Sequence, residues 1–204
     1  MKKLENIQFS KLQSYPDNPF KVTDDESMKE LTDSIREYGV LTPITVRSLH
    51  DGRYEIIAGH RRKYACEQIG IDTIPACVME LNKDEAAIAL VDSNLQRENI
   101  LPSERAFAYK LKLEAIKHQG KAASSQLAKK LSLEAIGESD NSGKDKVWRY
   151  IRLTCLIPEI LTMVDEGKIA LTPAVELSFL REQEQFVLFE TMQSEEASPS
   201  LSQA

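Results

Sequence analysis

Residues 54–65 read Tyr54-Glu55-Ile56-Ile57-Ala58-Gly59-His60-Arg61-Arg62-Lys63-Tyr64-Ala65. The first five residues predict a buried β-strand, and Asp51-Gly52 just before them suits a tight hairpin turn. After Gly59 the apolar residues recur at helical spacing, and Gly70 predicts the end of that helix. The stretch therefore predicts a strand that breaks at a glycine and enters a helix carrying three consecutive cations.

This junction between strand and helix is a candidate phosphate site. Where a strand ends and a helix begins, unpaired backbone N–H groups and the positive end of the helix dipole point at one place. Arg61 and Arg62 lie in the first turn of the predicted helix. The pattern therefore predicts a site for a polyphosphate, with a solvated basic helix face as the competing interpretation.

The composition predicts an ordinary soluble globular protein. The 204 residues are 42% apolar and 28% charged, enough for one large domain or two small ones. We expect a cytoplasmic protein without membrane contact, because no apolar run could span a bilayer and the start lacks a signal-peptide core. The 3 cysteines lie far apart and predict reduced core residues rather than a disulfide or zinc site: Cys66, Cys77 and Cys155.

The net charge of −6 is unevenly distributed along the chain. Residues 1–100 carry 13 Lys and Arg against 17 Asp and Glu, a net charge of −4. Residues 101–160 carry 11 against 7, a net charge of +4, and residues 161–204 carry 2 against 8, a net charge of −6. A basic middle between acidic flanks indicates a local contact with nucleic acid.

Up to residue 100 the pattern predicts a small α+β domain. Asp24 or Asp25 can cap a helix that Gly39 ends, with an apolar side formed by Met28, Leu31, Ile35 and Tyr38. Strands are predicted at 43–46, 54–58 and 73–78, the last with a proline near its start. A helix is predicted from Lys83 to Gln96, with a buried stripe formed by Ala86, Ala87, Leu90 and Val91.

Residues 101–193 predict an all-α domain. Pro102 fits a first helical position, and Gly120 ends a helix whose apolar side is formed by Phe107, Leu111 and residues 113–116. Helices at 124–131 and 144–153 predict a helix-turn-helix, although the irregular linker 132–143 is longer than usual. Pro158 and Pro173 predict the starts of two further helices. The polar residues 194–204 are expected to be a tail that continues into a longer chain.

The helix at 144–153 is a candidate DNA-contacting element. Val147, Ile151 and Cys155 predict its buried face. Its cations can reach phosphates or base edges, and simple solubilisation is the competing interpretation: Lys144, Lys146, Arg149 and Arg152. The first helix of the motif offers further phosphate partners, Ser124 and Gln126. The aromatic residues are expected in the core rather than on a base-stacking surface: Phe107, Tyr109 and Trp148.

A second polar stretch ends the helix that begins at Lys83. Asn94 and Glu98 lie four residues apart, hence on one face if the helix persists. An amide oxygen and a carboxylate, completed by phosphate oxygens and water, suit Mg²⁺ on a nucleotide, and Arg97 could reach a phosphate. The competing interpretation is a helix end that is merely polar.

Together these stretches resemble the ParB family of DNA-partition proteins, including its Noc-like relatives. Asn18-Pro19 and residues 39–44, Gly-Val-Leu-Thr-Pro-Ile, resemble the family's first box. Residues 58–65 resemble its G-E-R-R-x-R-A box, and residues 94–98 with 101–106 resemble its third box. The resemblance extends from about residue 8 to about residue 180, because the helical half also fits the family's helix-turn-helix domain.

In that family the arginine box binds the triphosphate of CTP, and the third box helps to hold Mg²⁺. The resemblance therefore implies a nucleotide site formed by Gly39, Thr42, Pro43, Gly59, His60, Arg61, Arg62, Asn94, Gln96 and Arg97. It implies metal ligands at Asn94 and Glu98. By family position, Lys144 falls near the start of the recognition helix.

The resemblance also implies a function in chromosome or plasmid partition. Such a protein binds a palindromic, centromere-like site in double-stranded DNA as a homodimer, and CTP closes it into a clamp around the DNA. A ParA-type ATPase is an expected partner, and the expected location is the nucleoid or a plasmid in the cytoplasm. One alternative is a transcription or plasmid-copy regulator that uses the helix-turn-helix without a clamp.

Two residues depart from the family pattern. His60 stands where the family has Glu, and Ser93 stands where many members have a Glu that is tied to hydrolysis. A hydroxyl cannot act as a general base in the way that a carboxylate can, so we expect CTP binding with slow hydrolysis. The same fold resembles sulfiredoxin and a free-serine kinase. Gly59 occupies the position of the sulfiredoxin cysteine and argues against that activity, whereas a kinase relative stays a second alternative.

Overall fold

The computed structural model describes residues 3–97, 99–119, 133–138, 140 and 142–195. The chain divides between Asn94 and Leu95 into two compact units. The first contains a mixed sheet with helices and the second is helical, so the predicted α+β domain followed by an all-α domain is confirmed. Within the described residues, none of the helices has the length and apolar character needed to cross a membrane.

The first unit is organised around a five-stranded sheet. Its strands are β1 (Lys3–Gln8), β2 (Leu12–Ser14), β3 (Ile44–Ser48), β4 (Tyr54–Ala58) and β5 (Thr73–Met79). Their order in the sheet is β1-β5-β3-β4-β2. The β3–β4 and β1–β5 pairs are antiparallel, whereas β5–β3 and β4–β2 are parallel. β3 and β4 form the predicted hairpin, with Gly52 at φ 79° in its turn.

Three helices accompany this sheet: α1 (Glu26–Tyr38), α2 (His60–Gln68) and α3 (Lys83–Leu95). The Asp25 carboxylate caps α1 by accepting a hydrogen bond of 2.9 Å from the Met28 backbone N–H, and Gly39 ends it at φ 71°. Tyr38, predicted on the apolar side, is 63% exposed. Helical periodicity identifies the buried side of α1, but it does not reveal how far along the helix the core extends.

The interior strand β4 is buried on both sides, since Glu55, Ile56 and Ile57 are each at most 2% exposed. The Glu55 carboxylate accepts a hydrogen bond of 2.6 Å from Arg47 Nε. The two side chains are only 3% and 11% exposed, so each charge is compensated by the other rather than by water. This buried ion pair joins β3 to β4 directly behind the hairpin turn.

We expect that Glu55→Met lowers the free energy of unfolding by about 3 kcal/mol, because it leaves the Arg47 guanidinium buried without its carboxylate. The double variant Arg47→Met/Glu55→Met should recover most of that loss, since no unpaired charge remains. Urea titration of the wild type and the variants measures both values. Losses that simply add in the double variant would contradict this account of the pair.

The second unit contains α4 (Pro102–Gln119), helical residues 133–138, α5 (Lys144–Leu153), α6 (Pro158–Asp165), α7 (Leu171–Leu177) and α8 (Glu182–Glu195). Pro102 and Pro158 begin helices as predicted, while Pro173 lies in the first turn of α7, which begins at Leu171. The predicted helix at 124–131, including Ser124 and Gln126, lies outside the described residues.

Three of the predicted core positions in this unit are wrong. Phe107 is 43% exposed, Trp148 is 37% exposed and Cys155 is exposed, whereas Tyr109 and Val147 are fully buried as predicted. Small side chains such as Ala106 and Ala108 occupy the buried side of α4 instead, which packs against α5 and α6. An apolar stripe wider than the contact leaves some of its members outside, and packing decides which residues face the neighbour.

The segment predicted as an irregular linker, 132–143, contains the helical residues 133–138. Leu133 and Ile136 bury their side chains there. Asp140 then accepts a hydrogen bond of 2.8 Å from Arg105 and a second one from the Tyr109 hydroxyl, both on α4. Burial and this hydrogen bond raise the pKa of Tyr109, so its hydroxyl stays a donor. The described residues of this segment are therefore packed in the helical unit and do not act as a spacer.

Candidate functional site

The strand-to-helix junction forms as predicted. β4 ends at Ala58, Gly59 adopts φ 105°, and α2 begins at His60. A Cβ atom on Gly59 would lie 2.5 Å from Ile44 Cγ2 and 2.9 Å from Ile44 Cβ, inside van der Waals contact. Glycine is required here both for its positive φ and for the space that a side chain would take.

Arg61 reaches the N-terminus of α1. Its Nη2 donates a hydrogen bond of 2.5 Å to Ser27 Oγ and lies 3.5 Å from Asp25 Oδ1. The hydrogen bond from Ser27, then that from the Met28 backbone and the charge of Arg61, hold the pKa of Asp25 below its ordinary value. Arg61 Nε is buried and has no hydrogen-bond partner among the described residues. An incoming anion could satisfy this donor, which otherwise costs free energy.

Arg62 reaches the segment that leads into β3. Its Nη1 donates to the backbone carbonyls of Thr42 and Pro43, the latter at 2.7 Å. The side chain is partly buried, and burial lowers the pKa of the Arg62 guanidinium. Arginine nevertheless stays charged in proteins, so a positive charge held by neutral carbonyls stands at this position.

The other two residues of this turn also have partners. Lys63 lies 2.5 Å from Glu67 and 5.4 Å from the centre of the Phe9 ring. His60 Nε2 lies 3.3 Å from the Asn18 amide nitrogen. The Arg61 and Lys63 side chains are only 32% and 24% exposed. The first turn of α2, residues 60–63, is called the basic turn below. It is packed among specific partners and therefore differs from a solvated helix face.

The structure places several first-box residues at this turn. Thr42 and Pro43 contact Arg62, Asn18 lies beside His60, and Ile44 packs against Gly59. Gly39 is exposed and ends α1 three residues before Thr42. The contacts of Arg61 with Ser27 and Asp25 were not predicted. Asp25 was identified only as a cap, and nothing in sequence spacing shows that α1 and α2 pack together.

The third-box residues stand at the end of α3. Asn94 donates through its amide nitrogen to the Leu90 carbonyl at 2.9 Å and to Ser93 Oγ at 3.3 Å, which leaves its carbonyl oxygen suited to accept or to ligate. α3 ends at Leu95, so the helical face that would align Asn94 with Glu98 does not continue. Gln96 is exposed and Arg97 is partly buried. Glu98 lies outside the described residues.

No group of three or more His, Cys, Asp or Glu side chains converges in the part of the chain that the structure describes. A magnesium ion carried on a nucleotide does not need such a group, because phosphate oxygens and water supply most of its ligands. The acceptor oxygen of Asn94 fits a single protein ligand of this kind.

The four cations of α5 have different surroundings. Lys146 and Arg149 are exposed, and Lys144 lies 3.3 Å from Glu134. Arg152 donates to Ser178 Oγ at 3.1 Å and to the Ser178 carbonyl, and its guanidinium lies 4.1 Å from the centre of the Phe179 ring. Lys146 and Arg149 therefore present charge outward, whereas Arg152 ties α5 to the end of α7.

Comparison with known proteins identifies the family of this chain. Residues 1–95 match the model of the ParB N-terminal domain. The probable chromosome-partitioning protein ParB of Pseudomonas putida is 38% identical over 185 residues, which are 90% of this chain and 59% of that protein. The stage 0 sporulation protein J of Bacillus subtilis is 36% identical over 169 residues, 82% of this chain and 55% of that protein.

Among solved structures, the fold is similar to that of the C-terminally truncated chromosome-partitioning protein ParB from Caulobacter crescentus complexed to the centromeric parS site. The TM-score is 0.56 at 24% identity, over 95% of this chain and 94% of that one. Fold and site thus define a protein with a ParB-type N-terminal domain followed by a helical domain. The chain belongs to the ParB family, and it spans somewhat more than half the length of these two curated relatives.

We expect Gly59→Ala to lower the free energy of unfolding by about 3 kcal/mol or more, because an alanine there combines backbone strain with a clash against Ile44. Gly52→Ala is the matched control, since Gly52 has φ 79° with nothing within 4 Å of an added Cβ. Backbone strain alone should cost that variant about 1 kcal/mol. Equal losses in urea titrations would show that contact with Ile44 does not restrict the junction.

Proposed function

We propose that this protein is a ParB-type DNA-partition protein that binds CTP with Mg²⁺ and uses it to control closure of a homodimer on DNA. Nucleotide binding is assigned to residues 1–100 and DNA binding to residues 101–193, the two domains that the sequence predicts. The DNA is a palindromic, centromere-like site, and a ParA-type ATPase is the expected partner. Relatives at 36–38% identity include a chromosome-partitioning protein, which supports this class of function.

The observation that carries the nucleotide assignment is the Gly59–Arg62 turn. Gly59 brings the start of α2 against β3, two arginines lie in the first turn, and Arg61 retains a buried donor without a partner among the described residues. The positive end of the helix dipole adds to this field. A triphosphate supplies negative charge and an acceptor for Arg61 Nε.

The remaining site residues follow from position and family resemblance. The family resemblance assigns His60, Arg61 and Arg62 to the phosphates, Asn94 and Glu98 to Mg²⁺, and Gln96 and Arg97 to the triphosphate. Gly39, Thr42 and Pro43 lie on the base and ribose side. Selectivity for CTP over other triphosphates rests on this last segment, because phosphates are common to all of them.

Binding is better supported than hydrolysis. Ser93 Oγ donates to the Leu90 carbonyl at 2.9 Å and lies 3.3 Å from the Asn94 amide nitrogen, so the hydroxyl completes the helix end. A hydroxyl in this role does not activate water. We therefore assign the protein the properties of a nucleotide-gated switch with slow turnover.

Isothermal titration of CTP, UTP, ATP and GTP with Mg²⁺ tests the nucleotide site. We expect selective CTP binding that weakens at least about tenfold in Arg61→Ala, because a charged donor to the phosphates is lost. Arg53→Ala is the matched control: it removes an exposed arginine of the same unit that pairs with Asp51. Absence of binding to every triphosphate, or a preference for ATP, would refute the assignment.

DNA contact is assigned to α5 within the basic segment 101–160. Lys146 and Arg149 are exposed on this helix, while Val147 and the terminal Leu153 are buried and anchor it in the core. Exposed cations on one side of an anchored helix suit contact with the phosphate backbone. Lys144, Arg152, Ser124 and Gln126 complete the set proposed from sequence.

Arg149→Ala should make the slope of log Kobs for DNA binding against log salt concentration smaller in magnitude by about 0.9. This is the value for one lost phosphate contact. Arg181→Ala, which removes an exposed arginine of the same unit outside α5, should leave the slope unchanged. Fluorescence anisotropy with a nonspecific duplex at several salt concentrations measures the electrostatic contribution of each residue. An unchanged slope in Arg149→Ala would contradict the proposed DNA surface.

A further inference from the structure

An acidic helical segment precedes α5, the helix assigned to DNA contact. The turn of a helix-turn-helix usually has about three or four residues, whereas residues 132–143 separate the predicted first helix from α5. The helical residues 133–138 lie within this long connection and contain Glu134 and Glu138. The first turn of α5 contains Lys144 and Lys146. Carboxylates of the connection thus come directly before cations that are assigned to DNA.

Apolar and backbone contacts fix this segment in the helical unit. Leu133 is 8% exposed and Ile136 is fully buried, so buried side chains flank Glu134. The Ser142 N–H donates a hydrogen bond of 2.7 Å to the Gly137 carbonyl, and a Cβ on Gly137 would overlap the Ser142 carbonyl oxygen. The chain therefore turns back tightly before α5 begins. The position of Glu134 is set by this packing, not by its own charge.

Glu134 is paired with the first residue of α5. Its Oε1 accepts a hydrogen bond of 3.3 Å from Lys144 Nζ, and the two side chains are 37% and 40% exposed. Lys144 therefore presents a charge that a fixed carboxylate compensates in part. Lys146 and Arg149 are exposed on the same helix. The cations of α5 thus differ in how freely they can meet a phosphate.

We propose that Glu134 is a specificity-determining residue that competes with DNA phosphates for Lys144 and so weakens sequence-independent DNA binding. The proposal rests on the proposed DNA-binding function and on the assignment of α5 to DNA contact. It gives the long connection a role, and it sets Lys144 apart from the other cations of the helix.

The free energies of the competing contacts explain this role. An exposed ion pair and a single phosphate contact are both screened by salt and contribute comparable free energies. Exchanging Glu134 for a phosphate therefore gains Lys144 little, and it leaves a carboxylate close to the DNA backbone, where like charges repel. A guanine edge differs, because O6 and N7 accept hydrogen bonds in a fixed geometry. The pair therefore disfavours phosphate contact more than it disfavours base contact.

Fluorescence anisotropy with a labelled nonspecific duplex tests the proposal through the slope of log Kobs against log salt concentration. Glu134→Gln should increase the magnitude of this slope by up to about 0.9, because Lys144 becomes free to contact a phosphate. Binding at low salt should become roughly threefold tighter or more, since a repelling charge is also removed. Glu138→Gln is the matched control: it removes an exposed carboxylate from the end of the same segment and should leave the slope close to that of the wild type.

A double-mutant cycle with Lys144→Gln separates the ion pair from net charge. In the Glu134→Gln background, Lys144→Gln should reduce the magnitude of the slope by about 0.9, the value for one phosphate contact. In the wild type the same substitution should reduce it clearly less, because Glu134 already competes for the ammonium group. Thermal unfolding midpoints of all variants establish that the fold is retained.

Three results of this cycle would overturn the proposal. One is an unchanged slope in Glu134→Gln, and another is an equal increase in Glu134→Gln and Glu138→Gln, which would reduce the effect to net charge. The third is an equal loss from Lys144→Gln in both backgrounds, since Glu134 would then not restrain Lys144. A wild type that does not bind the duplex at all would instead refute the proposed DNA-binding function, and the role of Glu134 with it.

Discussion

The close approach of Gly59 to Ile44 is the constraint on which the first unit depends. Ile44 is fully buried at the start of β3, and a Cβ on Gly59 would lie only 2.5 Å from its side chain. α2 therefore begins in direct contact with the sheet. Because Arg61 and Arg62 occupy the first turn, this single contact also determines how far each guanidinium can reach. The site is in this sense a consequence of backbone packing.

The helical unit depends on a network of hydrogen bonds around Asp140. Asp140 receives hydrogen bonds from Arg105 and Tyr109, while Tyr150 packs edge-on against Tyr109 with ring centres 5.9 Å apart. Polar groups that all have hydrogen-bond partners in a partly buried region favour one arrangement, because a group that loses its partner there costs free energy. This network holds the residues before α5 against α4, and so helps to place the helix that carries Lys146 and Arg149.

Much of the fold follows from local patterns. The β3–β4 hairpin, the Asp25 and Gly39 caps and the start of α4 at Pro102 all depend on residues close in sequence. Predictions of which side chains are buried were less successful. Phe107 and Trp148 have the hydrophobicity of core residues, yet both are substantially exposed, whereas Tyr109 is fully buried. Which position faces a neighbouring helix is decided by helix packing and not by the hydrophobicity of the side chain.

The sequence by itself determined which residues form the basic turn and that the strand breaks at a glycine before it. Both depend on local chemistry: strand termination, helix initiation and the charge of consecutive side chains. The reason that a glycine is required came from the structure, where Gly59 has a positive φ and lies against Ile44. Only the tertiary structure decided what each cation touches. Arg61 meets α1, Arg62 meets the carbonyls before β3, and Arg152 meets Ser178 instead of facing outward. Such partners are 19 to 34 residues away along the chain, and no local pattern carries information about pairings at that separation.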